Sequence, residues 1–220
     1  MIRQNEFRSV LLDLDGTLTD PKVGITTCIR YALTRLNIAD QQELDWCIGP
    51  PLQQSFAVLL NSQDQPLLDQ AVTLYRERFS TTGLYENVLY PEVSEGLKYL
   101  KQQGFKLYLA TSKPHVYAQR ILQHFNILKF FTAVYGSELS GERTDKTELI
   151  RYILAQEKLE AADCLMVGDR KHDMRGAKNN QMQSIAVTYG YASMQELVEA
   201  QPDRMVDNFK ELVELIESWS

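Results

Sequence analysis

The chain has 220 residues, 44% hydrophobic and 24% charged, enough apolar material for one large domain or one domain with an insert, and unlike a disordered or coiled-coil protein. Twenty-three basic residues against 29 acidic ones leave a net charge of −6, which disfavours a nucleic-acid binder or a membrane-surface protein, since both need a basic face. Three cysteines, Cys28, Cys47 and Cys164, without CxxC or Cys/His spacing, argue against a disulfide framework and a structural zinc site and fit a reducing compartment.

The opening MIRQNEFRSV lacks the apolar run of about 7–15 residues that marks a secretory leader. No later stretch approaches the ~18 apolar residues of a membrane span, so a cytoplasmic protein is expected. The first apolar run, Ser9–Leu14, is short and unbroken, as in a strand buried on both faces of a parallel sheet. Helical spacing then takes over. Ile25, Ile29, Ala32, Leu33 and Leu36 form one stripe, Phe56, Leu59 and Leu60 a second, and Val72, Leu74, Tyr75 and Phe79 a third. A βαβ unit needs about 30 residues, and this interval holds roughly 65 more than that. The excess predicts an inserted helical domain, residues 19–87, with crossings near Thr19–Gly24 and Gly83–Pro91 where turn residues gather. Residues 1–18 and 88–220 then form the remaining domain. In it, helical stripes (Val93, Leu97 and Leu100; Ile121, Leu122 and Phe125; Leu149, Ile150, Ile153 and Leu154) alternate with apolar runs at Phe105–Ala110, Thr132–Tyr135, Cys164–Val167 and Ser184–Thr188. This alternation predicts an α/β fold, a doubly wound, Rossmann-like parallel sheet core carrying an inserted all-helical cap.

The chemistry-bearing residues fall at the ends of these strands. Asp13 and Asp15 follow the first; extended residues two apart point to one side, so both carboxylates face one place outside the carboxyl end of a central strand. Gly168-Asp169-Arg170-Lys171-His172-Asp173 follows the fourth and brings Asp169 and Asp173 to the same rim. Those two alone would also serve as helix caps, but an aspartate inside an apolar strand, as Asp13 and Asp15 are, must be desolvated with nothing local to offset it. Four crowded carboxylates call for a cation, and an all-oxygen set suits Mg²⁺ better than zinc. Lys146 opens a helix behind the expected N-cap Asp145, with Glu148 completing a capping-box pattern. A lysine there faces the positive end of the helix dipole. Lys113 and Lys171 are expected at similar helix starts, and three such lysines on one rim indicate an anion site. Thr111 and Ser112 end the second strand and offer donors to a phosphoryl group, or a cap before Pro114. His115, His124 and His172 have no partners at ligand spacing, and GxSxG, HExxH and GxxxxGK[ST] patterns are absent.

Asp13-Leu14-Asp15-Gly16-Thr17-Leu18-Thr19-Asp20, a hydroxyl residue after the second strand, a lysine ahead of the last motif, and GDxxxD stand in the order seen in the haloacid dehalogenase superfamily. The chain resembles that superfamily over nearly its whole length, and within it the phosphoglycolate phosphatase-like branch with a helical cap. The resemblance implies Asp13 as nucleophile, Asp15 as general acid/base, Thr111 and Lys146 as phosphoryl binders, and Asp169 as Mg²⁺ ligand. Asp173 would be a further ligand or a nearby carboxylate, and the Asp15 carbonyl would also bind the metal. Ser112 and Lys113 would help bind substrate. Ile48-Gly49-Pro50-Pro51-Leu52-Gln53 would serve as a specificity loop through Gly49, Pro50 and Gln53, or as a plain turn. An acid at position 15 disfavours a dehalogenase.

The implied activity is Mg²⁺-dependent hydrolysis of small phosphate monoesters through an aspartyl phosphate, by a monomer or homodimer without nucleic-acid or membrane partners. Asp20-Pro21 and Asp145-Lys146-Thr147-Glu148 depart from the Ser and KPxP that many phosphoglycolate phosphatases carry. The substrate therefore stays open between phosphoglycolate, 5′-nucleotides and other small esters. A phosphosugar mutase of the same superfamily and a receiver-like phospho-acceptor domain are the alternative readings.

Overall fold

A computed structural model describes residues 7–39 and 43–219. The expectation of no secretory leader rests largely on residues 1–6, outside the described residues, and residues 40–42 of the expected insert also lie outside them. Six parallel strands form the main sheet: β1 (Ser9–Leu12), β4 (Lys106–Pro114), β5 (Ala133–Ser137), β6 (Cys164–Gly168), β7 (Gln183–Val187) and β8 (Arg204–Val206). Two-residue strands, β2 (Thr19–Asp20) and β3 (Val88–Leu89), pair with each other where the chain leaves and re-enters this part.

The spatial order is β5-β4-β1-β6-β7-β8. The chain winds outward through β4 and β5, then returns to the other side of β1 for β6, β7 and β8. The reversal lies between β1 and β6, and ligand crevices of open α/β sheets form at that switch point. Every residue of β1 is buried, as expected of a strand covered on both faces. Between the strands run α4 (Val93–Gln102), α5 (His115–His124), α6 (Lys146–Glu157), α7 (Lys171–Asn179) and α8 (Met194–Ala200), and α9 (Phe209–Ser218) follows β8. Leu149, Ile150 and Ile153 of α6 pack with Leu11, Tyr108 and Met166 of the sheet in one buried cluster.

Three local features differ from the sequence reading. β1 stops at Leu12 rather than Leu14, because the chain coils at once: the Leu14 carbonyl accepts the amides of Thr17, Leu18 and Thr19. β4 continues to Pro114 by pairing with β5 across an irregularity between Thr111 and Pro114, so Lys113 lies in a strand and not at a helix start; α5 begins two residues later, at His115. β8, α8 and α9 lie beyond the last predicted strand. Arg204-Met205-Val206 is too short and too charged to carry an apolar run, and only pairing with β7 makes it a strand.

Pro21–Val88 gathers as a separate compact unit, the rest of the chain as another. The helices of this unit are α1 (Lys22–Arg35), α2 (Leu52–Leu59) and α3 (Gln65–Phe79). Its interior centres on Phe56, edge-on to Tyr75 at 6.4 Å, with Tyr75 stacked on Phe79 at 5.1 Å. Arg78 pairs with Glu86 at 2.6 Å and holds that carboxyl below its ordinary range. Among the described residues, no helix is long and apolar enough to cross a membrane.

Phe56 is fully buried, and truncating such a ring costs about 3–5 kcal/mol. Phe56→Ala should lower hydrogen-exchange protection throughout α1–α3 while the amides of β1, β4 and β6 keep theirs. Mass-resolved exchange of wild type and variant checks this.

Candidate active site

Strand register gathers the acidic residues. Leu12 is aligned with Leu109 of β4 and Val167 of β6, and the Asp13 amide still donates to the Val167 carbonyl at 2.9 Å. Asp13 therefore emerges beside Ala110-Thr111 on one side and Gly168-Asp169 on the other. One carboxylate oxygen each from Asp13, Asp169 and Asp173 lies within 4.8 Å of the others, and all three residues are buried. Gly16 has φ +82°, and a side chain there would collide with the Asp169 carboxylate; glycine is required for both reasons.

Lys146 reaches this cluster from the first turn of α6, after the N-cap Asp145, whose side chain accepts the Glu148 amide at 3.1 Å. Its ammonium donates to Asp13 Oδ1 at 2.8 Å and to the Ala110 carbonyl at 2.7 Å, and lies 2.7 Å from Asp173 Oδ1. Burial disfavours this charge, but Asp13 and Asp173 outweigh it and raise the lysine above its ordinary pKa. A second ammonium, Lys113, lies 2.6 Å from Asp15 Oδ2, both side chains largely buried. Thus four carboxylates share two ammonium groups.

Burial and crowding show in the carboxyl groups. Burial raises Asp169 well above its ordinary value, with Asp13 and Asp173 adding to the effect. Asp173 is raised to about 6, burial winning over the attraction of Lys146. Asp15 is raised by burial against the pull of Lys113. Asp169 Oδ2 accepts the Tyr191 amide at 2.7 Å, while its buried Oδ1 has no partner. A dense all-oxygen cluster with an orphaned carboxylate oxygen fits a hard divalent cation such as Mg²⁺.

The other predicted positions are placed as follows. Thr111 is buried at the rim, its Oγ1 accepting the Lys113 amide at 3.2 Å. Ser112 turns its hydroxyl to the Thr144 carbonyl at 2.9 Å and so tethers β4 to the loop ahead of α6. Asp173 also caps: its Oδ2 accepts the Arg170 amide at 3.1 Å at the start of α7, so capping and cluster membership coexist. Lys171 opens α7, its amide donating to Glu196 at 3.1 Å. Gly49, Pro50 and Gln53 belong to the helical unit. Gly49 has φ +102° in the turn ahead of α2, and Gln53 donates to Asp69 at 3.1 Å. Sequence reasoning missed Glu196, which accepts from Arg170 Nε at 2.9 Å, and the Tyr189-Gly190-Tyr191 segment. The position of that segment at the carboxyl end of the fifth main-sheet strand was the available signal.

Residues 10–187 match the family described as haloacid dehalogenase-like hydrolase, and the chain belongs to that family. A 5′-nucleotidase of Pseudomonas aeruginosa is 46% identical over 214 residues, 96% of each chain. A phosphoglycolate phosphatase of Vibrio vulnificus is 30% identical over 223 residues, 97% of each chain. Among solved structures, a predicted phosphatase from Clostridium acetobutylicum superposes with a TM-score of 0.92 at 38% identity, covering 96% of this chain and 99% of that one.

Raised carboxyl pKa values have a stability consequence. Where the folded value exceeds the unfolded one, the native state binds the extra proton, and that stabilisation is lost as pH rises through the folded value. For Asp173 the window runs from its ordinary 3.8 up to about 6; Asp169 is also raised and acts in the same direction. In chelator, Asp169→Asn should therefore gain stability over wild type by a margin that grows from pH 4.5 to 7.5. Melting temperature against pH measures it; a constant margin would contradict the assignment.

Proposed function

We propose that this chain, a phosphatase of the haloacid dehalogenase-like family, hydrolyses small phosphate monoesters through an aspartyl phosphate on Asp13. The observation that carries this reading is the buried Asp13 carboxylate, fixed by Lys146 at 2.8 Å and clustered with Asp169 and Asp173. Asp13, Asp169 and Asp173, with the Asp15 carbonyl, would hold Mg²⁺. Bound there, the ion supplies positive charge that lets an anionic phosphate approach carboxylates.

An Asp13 carboxylate oxygen forms the new bond to phosphorus as the ester P–O bond breaks, its electron pair leaving with the alcohol oxygen. Asp15 gives its proton to that oxygen, and its raised pKa agrees with holding one. Deprotonated Asp15 then takes a proton from water as the water attacks phosphorus; the P–O bond to Asp13 breaks, releasing inorganic phosphate and restoring Asp13 and the Asp15 proton. Lys146, Thr111 and Lys113 face the phosphoryl oxygens, with Ser112 supporting the loop. The assignment of Gly49, Pro50 and Gln53 to recognition of the leaving group comes from the resemblance alone. The 46% identity to a 5′-nucleotidase supports testing 5′-mononucleotides first, and the 30% identity to a phosphoglycolate phosphatase supports phosphoglycolate second. A cytoplasmic monomer or homodimer belongs to the same reading, in line with three buried cysteines that form no disulfide.

Phosphate release over a panel of metabolite monophosphates with Mg²⁺ tests the proposal. EDTA should abolish turnover and Mg²⁺ restore it. Asp13→Asn should lose all measurable activity while retaining its circular dichroism spectrum. Full turnover by the folded variant would overturn the mechanism, and isomerisation of a sugar bisphosphate without phosphate release would point to a mutase.

A further inference from the structure

We infer that Tyr189, Gly190 and Tyr191 are positioning residues that clasp the Asp15–Asp20 turn and thereby aim Asp15 at the leaving-group oxygen. The inference rests on the proposed role of Asp15 as general acid.

The segment follows β7 and touches the turn at successive points. The Tyr191 amide donates to Asp169 Oδ2 at 2.7 Å, and its hydroxyl donates to Asp20 Oδ1. The Tyr189 hydroxyl donates to the Thr17 carbonyl at 2.8 Å, and its ring packs edge-on against Tyr90 at 4.9 Å. Gly190 lies between them, where any side chain would collide with Asp169 and crowd the Gly16 carbonyl. One tripeptide thus meets Gly16, Thr17, Asp20 and Asp169 together.

The turn needs such a hold. Its own hydroxyls do not supply one: Thr17 Oγ1 and Thr19 Oγ1 are buried without a hydrogen-bond partner. Within the turn, the Leu14 carbonyl gathers three amides and Gly16 donates to the Thr19 carbonyl at 2.8 Å. On one side the turn is held by β3, paired with Thr19–Asp20, and by the Tyr90 amide, which donates to the Leu18 carbonyl at 3.0 Å. The tyrosine segment ties it to the end of β7 and to Asp169.

Asp13 and Asp15 are anchored differently. Asp13 is fixed from the strand side by its ladder bond to Val167 and by Lys146. Asp15 lies between that fixed end and the Gly16–Asp20 stretch that the tyrosines hold, its carboxylate paired with Lys113 at 2.6 Å. Loosening the tyrosine side shifts the backbone that carries Asp15, within the reach its Lys113 pair allows, while Asp13 stays in place. The loss should therefore fall on proton delivery more than on nucleophilic attack.

Tyr191→Phe removes one oxygen and keeps the ring. Rapid-quench measurement of aspartyl-phosphate formation should show a rate with phosphoglycolate that falls about 10-fold further than the rate with p-nitrophenyl phosphate, since small misplacements of reacting groups are costly. The aryl leaving group hardly needs a proton. The effect should appear in kcat with KM little changed, and the Mg²⁺-induced rise in melting temperature should persist. Asp20→Ala, which removes the acceptor of the Tyr191 hydroxyl, should reproduce the leaving-group dependence, and the double variant should be no worse than the poorer single one, because both remove one contact. Asp20→Ala also carries the test if Tyr191→Phe does not fold.

Asp15→Asn is run alongside. If it slows both esters equally, the acid role of Asp15 fails and the clasp with it. If it is selective for phosphoglycolate while Tyr191→Phe and Asp20→Ala slow both esters equally or neither, the clasp alone is overturned.

Discussion

The Lys146 ammonium, shared between Asp13 and Asp173 and bonded to the Ala110 carbonyl, ties together four parts of the chain that are far apart in sequence. It joins the end of β1, the middle of β4, the start of α6 and the start of α7 at one point. All its neighbours are buried, so water cannot replace any of them. Removing one partner from a buried ion pair typically costs about 3–5 kcal/mol, because the other charge is left without compensation. Opening α6 with a cation is itself unfavourable at the positive end of the helix dipole, and two nearby carboxylates offset that cost.

Even so, the arrangement is under-compensated. Four carboxylates face two ammonium groups, and burial, with repulsion from neighbouring carboxylates added, raises Asp15, Asp169 and Asp173. Such crowding does little for a protein's stability and is typical of sites built for chemistry. The surrounding backbone is fitted to it: at Gly16 and Gly190 a side chain would meet the Asp169 carboxylate. A bound divalent cation would relieve the repulsion, linking the proposed activity and the protein's stability through the same three aspartates.

The helical unit has its own economy. Its interior is aromatic, with Phe56, Tyr75 and Phe79 in contact, and its C-terminal end is held by the Arg78–Glu86 pair. The stripes read from Ile25 to Leu33 and at Tyr75 and Phe79 are buried there. Val72 and Leu74 are only partly covered, since the inward face of α3 follows Leu68, Ala71, Tyr75 and Phe79. A helical stripe reads reliably when it repeats over several turns, and less so at its edges.

Local pattern by itself determined the alternation of strands and helices, the Rossmann-like core and the excess of helix after the first strand. Burial imposes short apolar runs on strands and a 3.6-residue stripe on helices. It also placed Asp13, Asp169 and Asp173 at strand ends on one rim, where their carboxylates cluster, and it marked Lys146 as a cation at the wrong end of a helix. Asp15, past the end of β1 in the coil, is instead paired with Lys113. Tertiary structure decided the rest. β4 runs on past Thr111 only because β5 pairs with it, which puts Lys113 in a strand and against Asp15. β8 exists only through β7. Nothing near Tyr189 and Tyr191 in sequence announces Thr17, Asp20 or Asp169, which lie more than 150 residues away or across a strand–helix boundary. Hydrogen bonds between such distant groups leave no periodicity in the chain, so only folding reveals which backbone turn those tyrosines hold.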